Sequence, residues 1–115
     1  MSEKTLFTRI IEGEIPGQFV YQDEDLVAIR DIHPAAPVHI LVIPRKAIPS
    51  LAELQEGDAE LAGRLLLAVA RIARDEGLAK GYRVVINTGE EGGQTVPHLH
   101  FHILGGRPLT GHGTA

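Results

Sequence analysis

Three histidines alternate with apolar residues near the end of this 115-residue chain, in the run His98-Leu99-His100-Phe101-His102. Side chains two residues apart on a strand share a face, so the spacing predicts three imidazoles on one side and apolar residues on the other. A neutral imidazole offers a lone pair near neutral pH, because the ordinary pKa of histidine is about 6.5. A row of such rings suits an extended anion, with each nitrogen meeting a different oxygen. Phosphate chemistry fits that description.

A metal site is the first alternative for these histidines. A strand rises about 3.3 Å per residue, so His98 and His102 begin about 13 Å apart, whereas zinc holds its nitrogen ligands at about 2.0–2.1 Å. Placing all three rings on one ion would therefore need a badly distorted strand. Two of them could converge with His39, which opens another apolar run, so a zinc enzyme stays open as an alternative.

The loop before the histidines is rich in glycine and ends in neutral hydrogen-bond donors. Glycines such as Gly93 let backbone N–H groups approach an anion closely, and Gln94 and Thr95 add side-chain donors. Asn87 ends the strand predicted before the loop and could reach the same place. Next to three aligned imidazoles, such a loop predicts a phosphate cradle.

The elements that must position these residues are predicted from hydrophobic periodicity. A short helix begins after the cap residue Thr5, and one long helix covers residues 58–76. Five runs have the composition of strands, and they cover residues 19–22, 26–30, 39–43, 82–87 and 98–104. Short turns join most of these segments. The pattern predicts an α+β fold with a mainly antiparallel sheet of about five strands, one short N-terminal helix and one long helix.

Composition limits the classes of function. The length suits one domain, predicted over residues 1–115 with a loose tail at 108–115. A net charge of −4, with no long run of Lys or Arg, argues against a nucleic-acid partner. The absence of cysteine excludes a thiol nucleophile and a thiolate metal site. No apolar run approaches the roughly 20 residues of a membrane span, and no signal peptide is evident, so we expect a cytoplasmic protein without a membrane partner.

The predicted long helix carries more apolar surface than one face needs. Leu61, Leu65 and Val69 line one side, whereas Leu66 and Leu67 lie on another. This excess predicts burial either in the core of the chain or against a second copy of it.

At the alternating histidines the sequence resembles the histidine triad superfamily, whose motif is His-x-His-x-His followed by two apolar residues. The segments 31–44, 81–87, 92–96 and 105–107 resemble the Hint branch of that superfamily, and the likeness covers nearly the whole chain, from Thr5 to about Leu109. Hint-branch proteins are homodimers that bind purine nucleoside monophosphates and hydrolyse nucleoside phosphoramidates. The resemblance therefore implies a HIT-like fold, a homodimer and this hydrolase activity. We expect neither a metal nor another cofactor.

The resemblance also implies a role for each matching residue. His100 is implied as the nucleophile, with His102 and His39 beside the α-phosphate. His98 and Thr95 are implied on the leaving-group side, where either could relay a proton to the departing amine. The implied phosphate neighbours are Asn87, Gly93, Gln94 and the backbone of Val96. Asp31 is implied to grip the ribose hydroxyls, and the implied apolar slot for the base is formed by Phe7, Ile10, Ile15, Ile32 and Leu41.

Two further functions stay open at this point. One is a hydrolase of dinucleoside polyphosphates, or a nucleotidyl transferase, of the same superfamily. The other is a nucleotide-sensing dimeric scaffold without catalysis. Four candidate histidines favour catalysis, because binding a nucleotide alone would not need so many.

The sequence departs from the family pattern at three places. Thr95 stands where many relatives have Ser, Pro97 stands where several carry an aromatic residue, and the tail lacks the tryptophan of some relatives. The preference for a leaving group is thus the least transferable property.

Overall fold

A five-stranded sheet forms the centre of the computed structural model, which describes residues 4–111. The strands are β1 (Phe19–Gln22), β2 (Leu26–Arg30), β3 (Val38–Pro44), β4 (Tyr82–Val85) and β5 (Phe101–Gly105). Their order across the sheet is β1-β2-β3-β5-β4, and every neighbouring pair is antiparallel. The predicted α+β fold is confirmed.

The helical segments are α1 (Leu6–Ile11), α2 (Ala59–Asp75) and two single-turn 3₁₀ helices at Leu51–Glu53 and Glu56–Asp58. The predicted cap of α1 is present, because the Thr5 hydroxyl accepts a hydrogen bond from the backbone N–H of Thr8 at 3.0 Å. The long helix is one residue shorter at each end than predicted, and its first predicted residue, Asp58, belongs to the preceding 3₁₀ turn.

Both faces of the sheet are buried, each against one helix. Side chains alternate along β3, so Ile40 and Val42 point toward α2 while Leu41 and Ile43 point toward α1. The predicted inward residues of the histidine segment, which are Leu99, Phe101 and Ile103, are buried in the cluster that includes α2. The intervening histidines are therefore left to the side of the sheet that α1 covers.

The last two strands are shorter than predicted. β5 begins at Phe101 rather than at His98, because the N–H of His98 bonds to the Val96 carbonyl and the N–H of Leu99 bonds to the Ile48 carbonyl. The backbone N–H groups of His98 and Leu99 thus donate outside the β3–β5 ladder. β4 ends at Val85 rather than at residue 87, after its last ladder pair with β5.

The ends of the chain bear on three further predictions. Residues 108–111 of the predicted tail have neither helix nor strand, and residues 1–3 and 112–115 lie outside the described part of the chain. Within residues 4–111, no helix is both long and apolar enough to cross a lipid bilayer. One domain over residues 1–115, a loose tail and a cytoplasmic location all stay predictions.

Candidate active site

Three histidine rings lie in a row on the side of the sheet that carries α1. The β3–β5 register pairs Leu41 with His102, and His39 is two residues from Leu41 along β3, so these side chains share a face. The ring centroids of His39 and His102 are 5.2 Å apart, and those of His102 and His100 are 5.0 Å apart. The sheet therefore assembles a continuous row from two strands and the segment before β5.

The hydrogen bonds of His39 and His102 determine which nitrogen carries the hydrogen in each neutral ring. The N–H of Ala35 donates to Nδ1 of His39 at 3.0 Å, so the ring hydrogen of His39 is on Nε2. That Nε2 donates to Nδ1 of His102 at 2.9 Å, which leaves the hydrogen of His102 on its own Nε2. The Nε2 atom of His102 is buried and has no hydrogen-bond partner among residues 4–111. A buried donor without a partner is costly, and an anion oxygen would satisfy it.

His100 presents a nitrogen lone pair. Its Nδ1 is 2.7 Å from the carbonyl oxygen of His98, and because a carbonyl can only accept, Nδ1 carries the hydrogen. The lone pair of the neutral ring is therefore on Nε2. The ring of Phe7 packs edge-on against the ring of His100, with centroids 4.8 Å apart, and fixes its orientation. A neutral imidazole held in this way can act as a nucleophile or as a general base.

Burial favours the neutral form of all four rings. Desolvation is the largest effect on each, and it lowers the pKa values of His39, His98 and His100 below the ordinary value. The pKa of His102 falls to about 4, because burial is reinforced by repulsion from His100 and His39. The carboxylate of Asp31 opposes this trend at His39, His100 and His102 without reversing it.

His98 differs from the other histidines because both of its nitrogens are bonded to the protein. The ring is fully buried, its Nε2 donates to the Pro44 carbonyl at 2.8 Å, and its Nδ1 accepts from the Thr5 hydroxyl at 2.7 Å. It lies near His100, since Phe7 packs edge-on against both rings. The implied proton relay through His98 would require one of these hydrogen bonds to break, and that role stays a prediction.

A cluster of potential metal ligands coincides with the site. Ligand atoms of Asp31, His39 and His102 all lie within 4.8 Å of one another, and Oδ2 of Asp31 is 3.5 Å from Nε2 of His39. A metal on that Nε2 would displace its hydrogen to Nδ1, which already accepts the N–H of Ala35. The hydrogen-bond pattern therefore fits a phosphate-binding site better than a metal centre.

The side chain of Gln94 closes the glycine-rich loop on itself. Its Oε1 accepts the N–H of Gly89 at 2.9 Å, and its Nε2 donates to the carbonyls of Pro49 at 2.7 Å and Val96 at 2.9 Å. The amide that the resemblance implies on the substrate side is thus engaged within the protein. Sequence reasoning missed this structural task.

The other predicted residues in and beside this loop are exposed or half-buried. Thr95 is exposed and Asn87 is half-buried just beyond the end of β4. Gly93 has a φ of +80°, a conformation that side-chain-bearing residues rarely adopt. Their contacts with a substrate stay predictions.

Most of the predicted base slot is a single apolar cluster. Phe7, Ile10 and Leu41 are buried there, and Ile15 packs against them together with Val96. Ile32 does not join this cluster, and 84% of its surface is exposed. Asp31 beside it is half-buried, with Oδ1 accepting the N–H of His33 at 2.8 Å.

Three groups that organise the site were missed by sequence reasoning. They are the hydroxyl of Thr5 toward His98, the N–H of Ala35 toward His39 and the carbonyl of Pro44 toward His98. Two are backbone atoms and leave no signal in the sequence. Thr5 was predicted as a helix cap, but nothing in the sequence relates it to a residue 93 positions away.

Comparison with known proteins agrees with the fold. A family model described as "HIT domain" matches residues 12–109. A purine nucleoside phosphoramidase of Escherichia coli (strain K12) is 48% identical over 110 residues, covering 95% of this chain and 92% of that protein. A HIT-like protein of Synechococcus elongatus is 57% identical, covering 95% and 96%. The crystal structure of a HIT family hydrolase from Legionella pneumophila Philadelphia 1 superposes with a TM-score of 0.91 at 44% identity, covering 93% and 96%.

Proposed function

The chain belongs to the HIT domain family, and on that premise we propose that this hydrolase is a purine nucleoside phosphoramidase. It binds purine nucleoside monophosphates and hydrolyses the P–N bond of nucleoside 5′-phosphoramidates. The observation that carries the proposal is the pairing of a free lone pair on Nε2 of His100 with a buried, unpaired Nε2–H on His102. One atom is suited to attack phosphorus, and the other is suited to hold a phosphoryl oxygen.

The reaction proceeds in two displacements. Nε2 of His100 attacks phosphorus, the bond from phosphorus to the amine breaks, and a nucleotidyl-histidine forms. The departing amine takes up a proton, because an amide anion is a very poor leaving group, and Thr95 and His98 are the candidate relays. Water then attacks the intermediate and releases the monophosphate and the free imidazole. Because the intermediate is itself a P–N bond, neither step ends in a deep energy minimum.

His102 and His39 stabilise the phosphoryl group as a pair. Nε2–H of His102 binds a phosphoryl oxygen, and His39 acts through His102, since its own Nε2 donates to the other nitrogen of that ring. The N–H of Ala35 orients His39 in turn. Asn87, Gly93, Gln94 and Val96 are proposed around the same phosphate, where the exposed loop backbone supplies donors.

Asp31 is proposed to select ribonucleotides, because one carboxylate can accept from both ribose hydroxyls. We expect the 2′-deoxy monophosphate to bind roughly 10-fold more weakly than the ribose form, which is the effect of about one charged hydrogen bond. Isothermal titration calorimetry with both nucleotides measures this ratio. Asp31→Ala removes both acceptor oxygens and should bind the two forms nearly equally. Equal binding of both forms by the unmodified protein would contradict the role of Asp31.

A second copy of the chain is proposed to cover the open edge of the sheet. β4 is an edge strand in which Tyr82 and Val84 pair with Gly105 and Ile103, so both lie on the α2 side and both are exposed. On α2 itself, Leu67 is 67% exposed. Exposed apolar residues on an edge strand and on the helix of the same face favour association rather than solvation.

The decisive experiment measures hydrolysis of an adenosine 5′-phosphoramidate by the purified protein, with and without exhaustive chelation. We expect release of AMP and free amine at equal rates in both samples. Loss of activity on chelation would favour a zinc enzyme. Faster turnover of a dinucleoside polyphosphate would indicate the related hydrolase, and nucleotide binding without any turnover would indicate a scaffold. Each of these outcomes overturns the proposal.

A further inference from the structure

Thr5, the capping residue of α1, is hydrogen-bonded to the buried ring of His98. The Thr5 hydroxyl accepts from the N–H of Thr8 at 3.0 Å and lies 2.7 Å from Nδ1 of His98. The Pro44 carbonyl at the other end of the ring can only accept, so Nε2 of His98 carries the hydrogen and Nδ1 is an acceptor. Thr5 must therefore donate to His98. Its one hydroxyl caps α1 and fixes the tautomer of a histidine far along the chain.

The same histidine holds His100 through its backbone. The carbonyl of His98 accepts the Nδ1–H of His100 at 2.7 Å, and this bond leaves the lone pair of His100 on Nε2. The side chain of His98 is anchored at both ends, by Thr5 and by Pro44, while its backbone lies outside the β3–β5 ladder. Side-chain anchoring thus replaces ladder hydrogen bonds in fixing the position of this carbonyl.

We propose that Thr5 is a positioning residue for the nucleophile, acting through His98 on His100. The proposal rests on the function proposed above, and it names a residue outside the histidine row. Without a donor at position 5, Nδ1 of His98 is a buried acceptor with no hydrogen to accept, and the ring gives up its fixed orientation. The carbonyl of His98 then moves, and His100 no longer keeps its hydrogen exclusively on Nδ1.

Three substitutions separate this role from helix capping. Thr5→Ser keeps both the cap and the donor, so kcat should stay within about twofold. Thr5→Gly keeps an accepted cap residue but has no hydroxyl to donate, so kcat should fall roughly 10-fold, the effect of losing about one hydrogen bond, with KM nearly unchanged. Thr5→Val removes both the cap and the donor, so kcat should fall at least as far. Thr8→Val is the matched control: the Thr8 hydroxyl is 3.1 Å from the Thr5 hydroxyl and 3.5 Å from the same nitrogen of His98, and the substitution leaves the hydroxyl of Thr5 in place.

The readout that does not need activity is the ¹⁵N spectrum of the imidazoles. In the unmodified protein we expect His98 with its hydrogen on Nε2 and His100 with its hydrogen on Nδ1. In Thr5→Gly, His98 and His100 should each show a mixture of tautomers, because Nδ1 of His98 has lost the hydrogen bond that it accepts. Full kcat together with unchanged spectra in Thr5→Gly overturns the proposal, as does a loss of kcat in Thr5→Ser as large as that in Thr5→Gly. An unmodified protein that does not turn over phosphoramidates would refute the proposed function instead, while the spectra would still decide the role of Thr5.

Discussion

The chemistry of the site depends on where each imidazole keeps its hydrogen. In His100 a backbone carbonyl holds the hydrogen on Nδ1, whereas in His102 a neighbouring ring holds it on Nε2. Two identical side chains two residues apart therefore present opposite character to a ligand, one a lone pair and the other a donor. The difference arises from their partners, which is how protein environments assign separate roles to identical groups.

Removal of the attacking nitrogen should stop the reaction without removing the ligand site. We expect His100→Ala to lower the single-turnover rate by roughly 10³-fold or more, with AMP affinity changed only a few-fold. His100→Asn is the matched variant, since its amide can still donate to the His98 carbonyl while no atom replaces Nε2. Rapid-quench assays and calorimetry measure the two quantities. A single-turnover rate in either variant equal to that of the unmodified protein would show that His100 is not the nucleophile.

At the scale of the elements, α1 and α2 cover opposite faces of the sheet and have different tasks. α2 closes the main core, with Leu65 and Ile72 buried against the sheet. α1 has only six residues, yet it contributes Phe7 and Ile10 to an apolar cluster and, through its cap, contacts His98. So short a helix is unstable in isolation and owes its position to these contacts.

Alanine substitution of two glycines, one inside α2 and one just after it, should change the free energy of unfolding in opposite directions. At both Gly63 and Gly77, a Cβ would meet no atom within 4 Å among the described residues. Gly63 lies inside α2, so Gly63→Ala should raise the free energy of unfolding by roughly 0.5–1 kcal/mol. Gly77 follows the helix with a φ of +78°, so Gly77→Ala should lower it by about 1 kcal/mol. Urea denaturation measures both, and a shared sign would contradict this account.

At the scale of the whole molecule, the exposed apolar residues on α2 and β4 should matter for assembly. We expect Leu67→Glu to convert a dimer into monomers, because it places a charge on the proposed interface. Leu51→Glu is the matched control: Leu51 is 41% exposed but lies in a 3₁₀ turn outside that interface. Sedimentation velocity over a range of concentrations measures the shift. If the unmodified protein is a monomer, the proposed interface does not exist. If the Leu67→Glu variant stays dimeric, the interface lies elsewhere on the surface.

The buried histidines should also make the fold sensitive to acid. The pKa of His102 is about 4 in the folded chain against an ordinary value of 6.5, so the unfolded chain takes up a proton first as the pH falls. The free energy of unfolding should therefore decline from pH 6.5 toward pH 4. Denaturant titrations at several pH values measure the slope. His102→Gln should flatten it, whereas His33→Gln, which removes an exposed imidazole, should not, and equal slopes in all three proteins would contradict the assignment.

The sequence by itself determined the elements and the direction in which the key side chains point. Period-two alternation at residues 98–102 separates the histidines from Leu99 and Phe101, which pack in the core with α2. Helical periodicity locates α1 and α2, because both patterns are local consequences of backbone geometry. Family resemblance then matched residues to roles one position at a time.

Only the tertiary structure decided which nitrogen of each ring is free. His98 is fully buried and bonded at both ends, and Gln94 holds its own loop, although the sequence makes both look available to a ligand. Their partners are a hydroxyl from α1 and backbone carbonyls from distant segments. Hydrogen bonds to backbone atoms far along the chain depend on where the fold brings those atoms, and no local sequence pattern records that.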